Sequence, residues 1–148
     1  MEASQALGSA ETDPVRLALQ RFGDAWSFRI LRAAFYGTRR YDGFQAATGA
    51  SPSLLAGRLK RLTEGGLFER VQYGAHAKRF EYVLTEQGRE LYPIIVLMRQ
   101  WGERYISEAA VSDALVHMPC GRPLIAVAVC KHCGEALRTD DTEVVGGG

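Results

Sequence analysis

Apolar residues recur at helical spacing from the start of the chain, and each run is bounded by residues that start or stop helices. Asp13 before Pro14 supplies an N-cap and then a preset φ, and Val15, Leu17, Ala18, Leu19 and Phe22 follow before Gly23. A second helix is predicted over 25–36, with Trp26, Ile30, Ala33 and Ala34 near one face, Leu31 and Phe35 widening it, and Gly37 closing it. A short third helix over 41–48 turns Phe44 and Ala47 inward and breaks at Gly49. A fourth begins at Ser51-Pro52, with Ser51 able to cap, and carries Leu55, Leu59 and Leu62 as an inward stripe. Two helices joined by a short Gly-containing turn, the second amphipathic and bearing Arg58 and Arg61, fit a helix-turn-helix.

After Gly65-Gly66 the period changes. Residues 67–73 and 79–84 read as two strands around the turn Gly74-Ala75-His76-Ala77-Lys78, giving a hairpin with a basic tip directly after the second helix. That order of elements is a wing arrangement, with the fourth helix in the major groove and the tip on phosphate or the minor groove. Thr85-Glu86-Gln87-Gly88 then opens a long helix to about Ile106, bent at Pro93. Its stripe of Leu91, Ile94, Ile95, Met98, Trp101 and Tyr105 exceeds what so small a core needs and reads as a dimer face. The expected fold is α+β and mostly helical. It comprises an N-terminal arm (1–12), a winged helix-turn-helix with its dimerisation helix (13–108) and a C-terminal tail (109–148).

Charge sharpens this picture. The formal net charge is only +1, yet residues 13–62 hold nine Arg or Lys against three Asp, while acidic residues predominate after position 85. One face suits phosphate. Ser51 and Ser53 sit at the start of the fourth helix, where backbone N–H groups also point outward, and Arg58 fits a bidentate guanine contact. Arg61, Lys60, Lys78 and Arg79 suit phosphate neutralisation, as do Arg39 and Arg40 in the link before the third helix. Pro52 and Gly57 leave fewer side chains to read bases, so specificity leans on shape and the wing.

Residues 14–105 resemble the HxlR family of winged-helix regulators, relatives of the larger MarR group. The resemblance rests on Gly23-Asp24-Ala25-Trp26-Ser27 with Ile30-Leu31-Arg32, on Arg40-Tyr41-Asp42-Gly43-Phe44, and on Ser51 to Leu55 with Arg58-Leu59 and Leu62. Gly66-Leu67, the run from Arg79 to Thr85, Gly88 and Trp101-Gly102 complete it in order. It implies a homodimeric, DNA-binding repressor with Arg58 as a DNA contact. Many members carry a cysteine immediately before the proline of the first helix, and some sense oxidants or aldehydes there. Asp13 holds that place here, which excludes thiol sensing at this site.

All three cysteines fall in the tail. His117-Met118-Pro119-Cys120-Gly121 and Cys130-Lys131-His132-Cys133-Gly134 form two knuckles around a strand-like stretch, 124–129. Ligand pairs two residues apart are how zinc ribbons hold a tetrahedral ion, and the natural set is His117, Cys120, Cys130 and Cys133, with His132 able to substitute. Some HxlR-like regulators carry a similar cysteine-bearing tail. Unliganded thiols and a redox-active Cys130–Cys133 pair stand beside the zinc reading.

No nucleophile motif or phosphate-cradling loop supports an enzyme, and the CxxC lacks a thioredoxin-like context. The rival reading is a winged-helix module for protein interaction or for redox or ligand sensing, with weak DNA binding or none. Trp26, Phe35, Tyr36, Tyr92 and Trp101 either line a pocket for a small-molecule effector or fill the core. No apolar run is long enough to span a membrane, and the small polar residues 1–12 do not form a signal peptide, so a cytoplasmic location is expected.

Overall fold

The computed structural model describes residues 11–75, 78–108 and 113–145, in two compact units divided between Tyr92 and Pro93. In the first unit, α1 (Pro14–Phe22) starts where the Asp13 carboxylate accepts the amides of Val15 and Arg16 at 3.1 and 3.3 Å. Asp24 repeats the device for α2 (Ala25–Phe35), accepting the Ser27 amide at 3.0 Å. The short α3 (Tyr41–Thr48) and α4 (Pro52–Glu64) follow, then the antiparallel pair β1 (Phe68–Gln72) and β2 (Phe80–Leu84). The register runs from Phe68 opposite Leu84 to Gln72 opposite Phe80, and α5 (Glu86–Arg89) closes the unit.

The core lies where α2, α3, α4 and the hairpin meet. Ile30, Leu31, Phe44, Leu55, Leu59 and Leu62 are fully buried, with Leu67 and Phe68 2% exposed. Phe44, Phe68 and Tyr82 form an edge-on aromatic triad with centroids 5.9 to 6.4 Å apart. Two polar groups enter this core, and each is satisfied: Ser27 Oγ donates to Asp24 and Thr48 Oγ1 to the Phe44 carbonyl.

Thr85 ties the hairpin back to the turn after α4. Its hydroxyl donates to the Gly66 carbonyl at 2.6 Å and accepts the Gly88 amide at 3.0 Å, capping α5. Gly88 is pressed so close that a Cβ there would stand 2.2 Å from the Leu67 carbonyl oxygen. Backbone cannot give way as a side-chain tip does. Gly88→Ala is therefore expected to cost about 3 kcal/mol, read as a lower urea midpoint with an unchanged slope.

Several expectations require correction. The helix predicted from Thr85 to Ile106 is two helices, α5 and, after a turn at Glu90-Leu91, α6 (Tyr92–Tyr105). Pro93 has no N–H for the Arg89 carbonyl and its ring would collide with it, so it breaks the helix and is accommodated in the first turn of the next. In α3 Thr48 is buried and Ala47 exposed, and Ser51 makes no side-chain cap hydrogen bond at the start of α4. None of the residues of α1 is buried: Val15, Leu17 and Leu19 all face outward.

The second unit begins with α6 and continues into the tail. Gln100 clasps Ala126 through both backbone groups, donating to its carbonyl at 2.9 Å and accepting its amide at 2.6 Å. These bonds tie α6 to the tail within the second unit. The tail itself contains the two-residue pair β3 (Val116–His117) and β4 (Arg122–Pro123), a bridge between Val129 and Ala136, and a 3-10 turn at Thr139–Asp141. The stretch 124–129 is not a ladder strand; Val129 alone is bridged.

Candidate nucleic-acid interface

Core packing decides which face of α4 is presented. Leu55, Leu59 and Leu62 point inward, which leaves Ser53, Ala56, Gly57, Lys60 and Glu64 exposed on the opposite side. Tyr41 fixes where the helix begins: its hydroxyl donates at 2.8 Å to the carbonyl of Pro52, the first residue of α4. Ser51 and Ser53 are both exposed at this end.

The two arginines of α4 are tied to other elements of the fold, Arg58 partly buried and Arg61 exposed. Arg58 Nε donates to Asp24 Oδ1 at 3.0 Å, with both side chains about three-tenths exposed, so the guanidinium is held by the cap of α2. Burial alone would raise the Asp24 carboxyl. Hydrogen bonds from the Ser27 hydroxyl and amide and the Arg58 ion pair outweigh it and hold the group below the usual carboxylate value. Arg61 donates to the Gln20 carbonyl of α1, and Arg21 of α1 returns the contact to the Gly65 carbonyl at 3.2 Å. Lys60 lies free of these braces, 3.9 Å from Glu64 on its own helix.

The wing is braced from α3. Arg40 Nε lies 3.4 Å from Glu81 Oε1 and its guanidinium sits 4.3 Å above the Tyr73 ring, while the Tyr82 amide donates to the Arg39 carbonyl. Arg39, Lys78 and Arg79 keep exposed side chains, and the Tyr73 amide donates to the Arg79 carbonyl to extend the hairpin. His76, at the predicted tip, lies outside the described residues. Helix phase thus brings Ser51, Ser53, Lys60 and the flanking Arg58 onto one helix, with Arg40 and the wing held near its neighbour α3. Asp24 and Tyr41, which orient Arg58 and α4, were missed as site residues. Their signals are a cap aspartate three residues before a serine and a tyrosine opening the preceding helix.

On α6 the expected dimer residues divide. Ile94, Met98, Trp101 and Tyr105 are 46 to 66% exposed, whereas Leu91 and Ile95 are partly buried. Leu97 joins Ile94, Met98 and Trp101 around one apolar groove, and Trp101 stacks on Tyr105 at 5.6 Å. The other aromatics considered for an effector are engaged locally: Phe35 packs on Tyr92 at 5.1 Å, Arg29 covers Trp26 and Arg32 covers Tyr36. In the tail, His117 Nδ1 lies 3.3 Å from Cys120 Sγ. Hydrogen bonds from the His132 and Cys133 amides, then from the Cys133 side chain, hold the Cys130 thiol below its ordinary range. Among the described residues no three His, Cys, Asp or Glu side chains lie close enough together to hold an ion. No helix among them is long and apolar enough to cross a membrane.

Comparison with known proteins gives these features a family. The profile of the HxlR-like helix-turn-helix family matches residues 21–110, from the end of α1 to beyond α6. An uncharacterised HTH-type transcriptional regulator of Mycobacterium tuberculosis is 39% identical over 128 residues, covering 86% of this chain and 81% of that one. Among solved structures, PA1607, described as a candidate transcription factor, superposes with a TM-score of 0.81 at 36% identity, covering 96% of this chain and 98% of its own. The redox regulator HypR in its reduced form matches at TM-score 0.57 and 30% identity over 62% of this chain and 91% of its own. With a profile match across the helix-turn-helix, the wing and α6, the chain belongs to the HxlR-like helix-turn-helix family and is a DNA-binding transcriptional regulator.

Proposed function

We propose that the protein is a homodimeric repressor that binds double-stranded DNA sequence-specifically, with α4 in the major groove and the wing on phosphate or the minor groove. The observation that carries this reading is the outward face of α4. It is polar and small, backed by three buried leucines and anchored at its start by Tyr41. Ser53, Ala56 and Gly57 let the groove floor approach the helix closely, Arg58 reads a base from the flank, and Lys60, Lys78 and Arg79 neutralise phosphate. Pairing through the exposed residues of α6 presents two such helices to half-sites one turn apart, about 34–36 Å. Occupying a promoter in this way blocks its use, which is the repressor mode that the family resemblance implies.

Fluorescence anisotropy of the full chain, with a duplex from its own upstream region and a scrambled duplex across a salt series, tests the reading. The upstream duplex binds more tightly, and log affinity falls with log salt by about 0.9 for each phosphate neutralised. Equal binding to both duplexes overturns sequence specificity, and no binding at low salt leaves the scaffold as a protein-interaction module. A promoter–reporter fusion whose output rises when the regulator is deleted checks the direction of control.

A further inference from the structure

The two knuckles of the tail are one structural unit used twice. Val116 pairs with Pro123 across the first, and Val129 bridges Ala136 across the second. One position further out, the Leu124 amide donates to the Leu115 carbonyl at 2.7 Å and the Leu137 amide to the Ala128 carbonyl at 3.0 Å. Within each turn a glycine amide closes back on the first donor's carbonyl, Gly121 on His117 at 2.8 Å and Gly134 on Cys130 at 2.7 Å. Both glycines lie at positive φ, +67° and +77°, where a side chain would be strained. Every one of these correspondences is an offset of thirteen residues, the distance from His117 to Cys130 and from Cys120 to Cys133. His132 corresponds to Pro119, which donates nothing, so the repeat selects His117, Cys120, Cys130 and Cys133.

We propose that these four residues bind one zinc ion within a single chain, each knuckle supplying two ligands. Three thiolates and one imidazole nitrogen are a donor set that suits tetrahedral zinc. The first pair is already spaced for it. Zn–S and Zn–N bonds at a tetrahedral angle separate the two donors by about 3.5 Å, and His117 Nδ1 lies 3.3 Å from Cys120 Sγ. Among the described residues no three of these donors meet, so binding one ion requires the two knuckles to close on each other. The tail also needs a staple. No residue of 113–145 is buried, and Ile125 and Val127 are 80 and 70% exposed, so no hydrophobic core orders these turns.

The test is the metal content of the full chain, purified without chelator, together with the visible spectrum of its cobalt-substituted form. The expected result is about one zinc per chain, and a cobalt spectrum with intense tetrahedral d–d bands and a thiolate charge-transfer band. Cys120→Ser and Cys133→Ser, one in each knuckle, lose the metal. His132→Ala keeps it, and His117→Cys keeps it with a stronger charge-transfer band, which shows that the tail tolerates substitution. A chain without metal, an octahedral cobalt spectrum, half an equivalent shared between two chains, or a full equivalent retained in both serine variants overturns the proposal. So does a Cys130–Cys133 disulfide in place of the ion.

Discussion

Met98→Glu on α6 is expected to break the proposed dimer into monomers and to weaken binding to the upstream duplex by about 100-fold or more. Met98 is 51% exposed, one turn from Ile94 and beside Trp101 in the same apolar groove. A two-fold axis brings every substitution into the interface twice, so two carboxylates enter the apolar surroundings that Ile94, Leu97 and Trp101 provide. The penalty for each buried ion is several kcal/mol, more than a few methionine contacts supply. Each monomer then holds one half-site, and the second half-site no longer benefits from being tethered to the first. Sedimentation velocity reads the assembly and anisotropy the affinity. A dimer that survives Met98→Glu with undiminished affinity places the pairing surface elsewhere, and the outward face of α1 becomes the next to test.

That second candidate shows where periodicity stops informing. Val15, Leu19 and Phe22 repeat the four-then-three spacing of Leu55, Leu59 and Leu62, yet only the leucines of α4 are buried. Spacing identifies a helix and its apolar face; it does not say whether that face meets the protein's own core or a partner. The stripe 55, 59, 62 and the hairpin were legible because turn residues bounded them and because alternation left one register. Pro93 was legible only as a disturbance. Whether proline bends a helix or ends it depends on the backbone around it, and here α5 ends at Arg89, with Glu90 as its C-cap, before Pro93 enters the first turn of α6. The knuckles were visible as motifs, and Val116, Cys120, Gly121 and Leu124 recur thirteen residues later as Val129, Cys133, Gly134 and Leu137, but that both are the same turn is shown by the backbone pairing, which also matches residues that differ, such as Pro123 and Ala136.

The interface was legible as an inventory of cations and not as a set of contacts. Arg58 and Arg61 were recognisable from their flanking positions on α4. Their partners, Asp24 and the Gln20 carbonyl, lie 34 and 41 residues earlier, beyond any local pattern. The structure therefore separates cations that share a sequence neighbourhood. Lys60 answers only to a residue of its own helix, whereas Arg58 is oriented by the rest of the fold.

That orientation gives Arg58 an expected signature distinct from that of Lys60. Arg58→Ala lowers affinity for the upstream duplex by about 1–3 kcal/mol, roughly ten- to a hundred-fold, and lowers affinity for the scrambled duplex much less. Arg58→Lys keeps the charge but loses the fork, and also loses discrimination. Lys60→Ala weakens both duplexes alike and reduces the salt slope by about one. Asp24→Asn partly reproduces the loss of discrimination, because Nε no longer has a carboxylate to hold it. In a double-mutant cycle the effects of Asp24→Asn and Arg58→Ala are less than additive, the result for two groups acting as one device. Linkage gives a second readout. The Asp24 carboxyl lies below its ordinary 3.8 in the folded chain, so its contribution to stability is present above that value and is lost as pH falls through the lower folded one. The stability difference between wild type and Asp24→Asn, measured by urea unfolding, is therefore constant near neutrality and closes in acid. Additive effects on DNA binding, with a stability difference that ignores pH, remove Asp24 as the orienting group and leave Arg58 an ordinary surface cation.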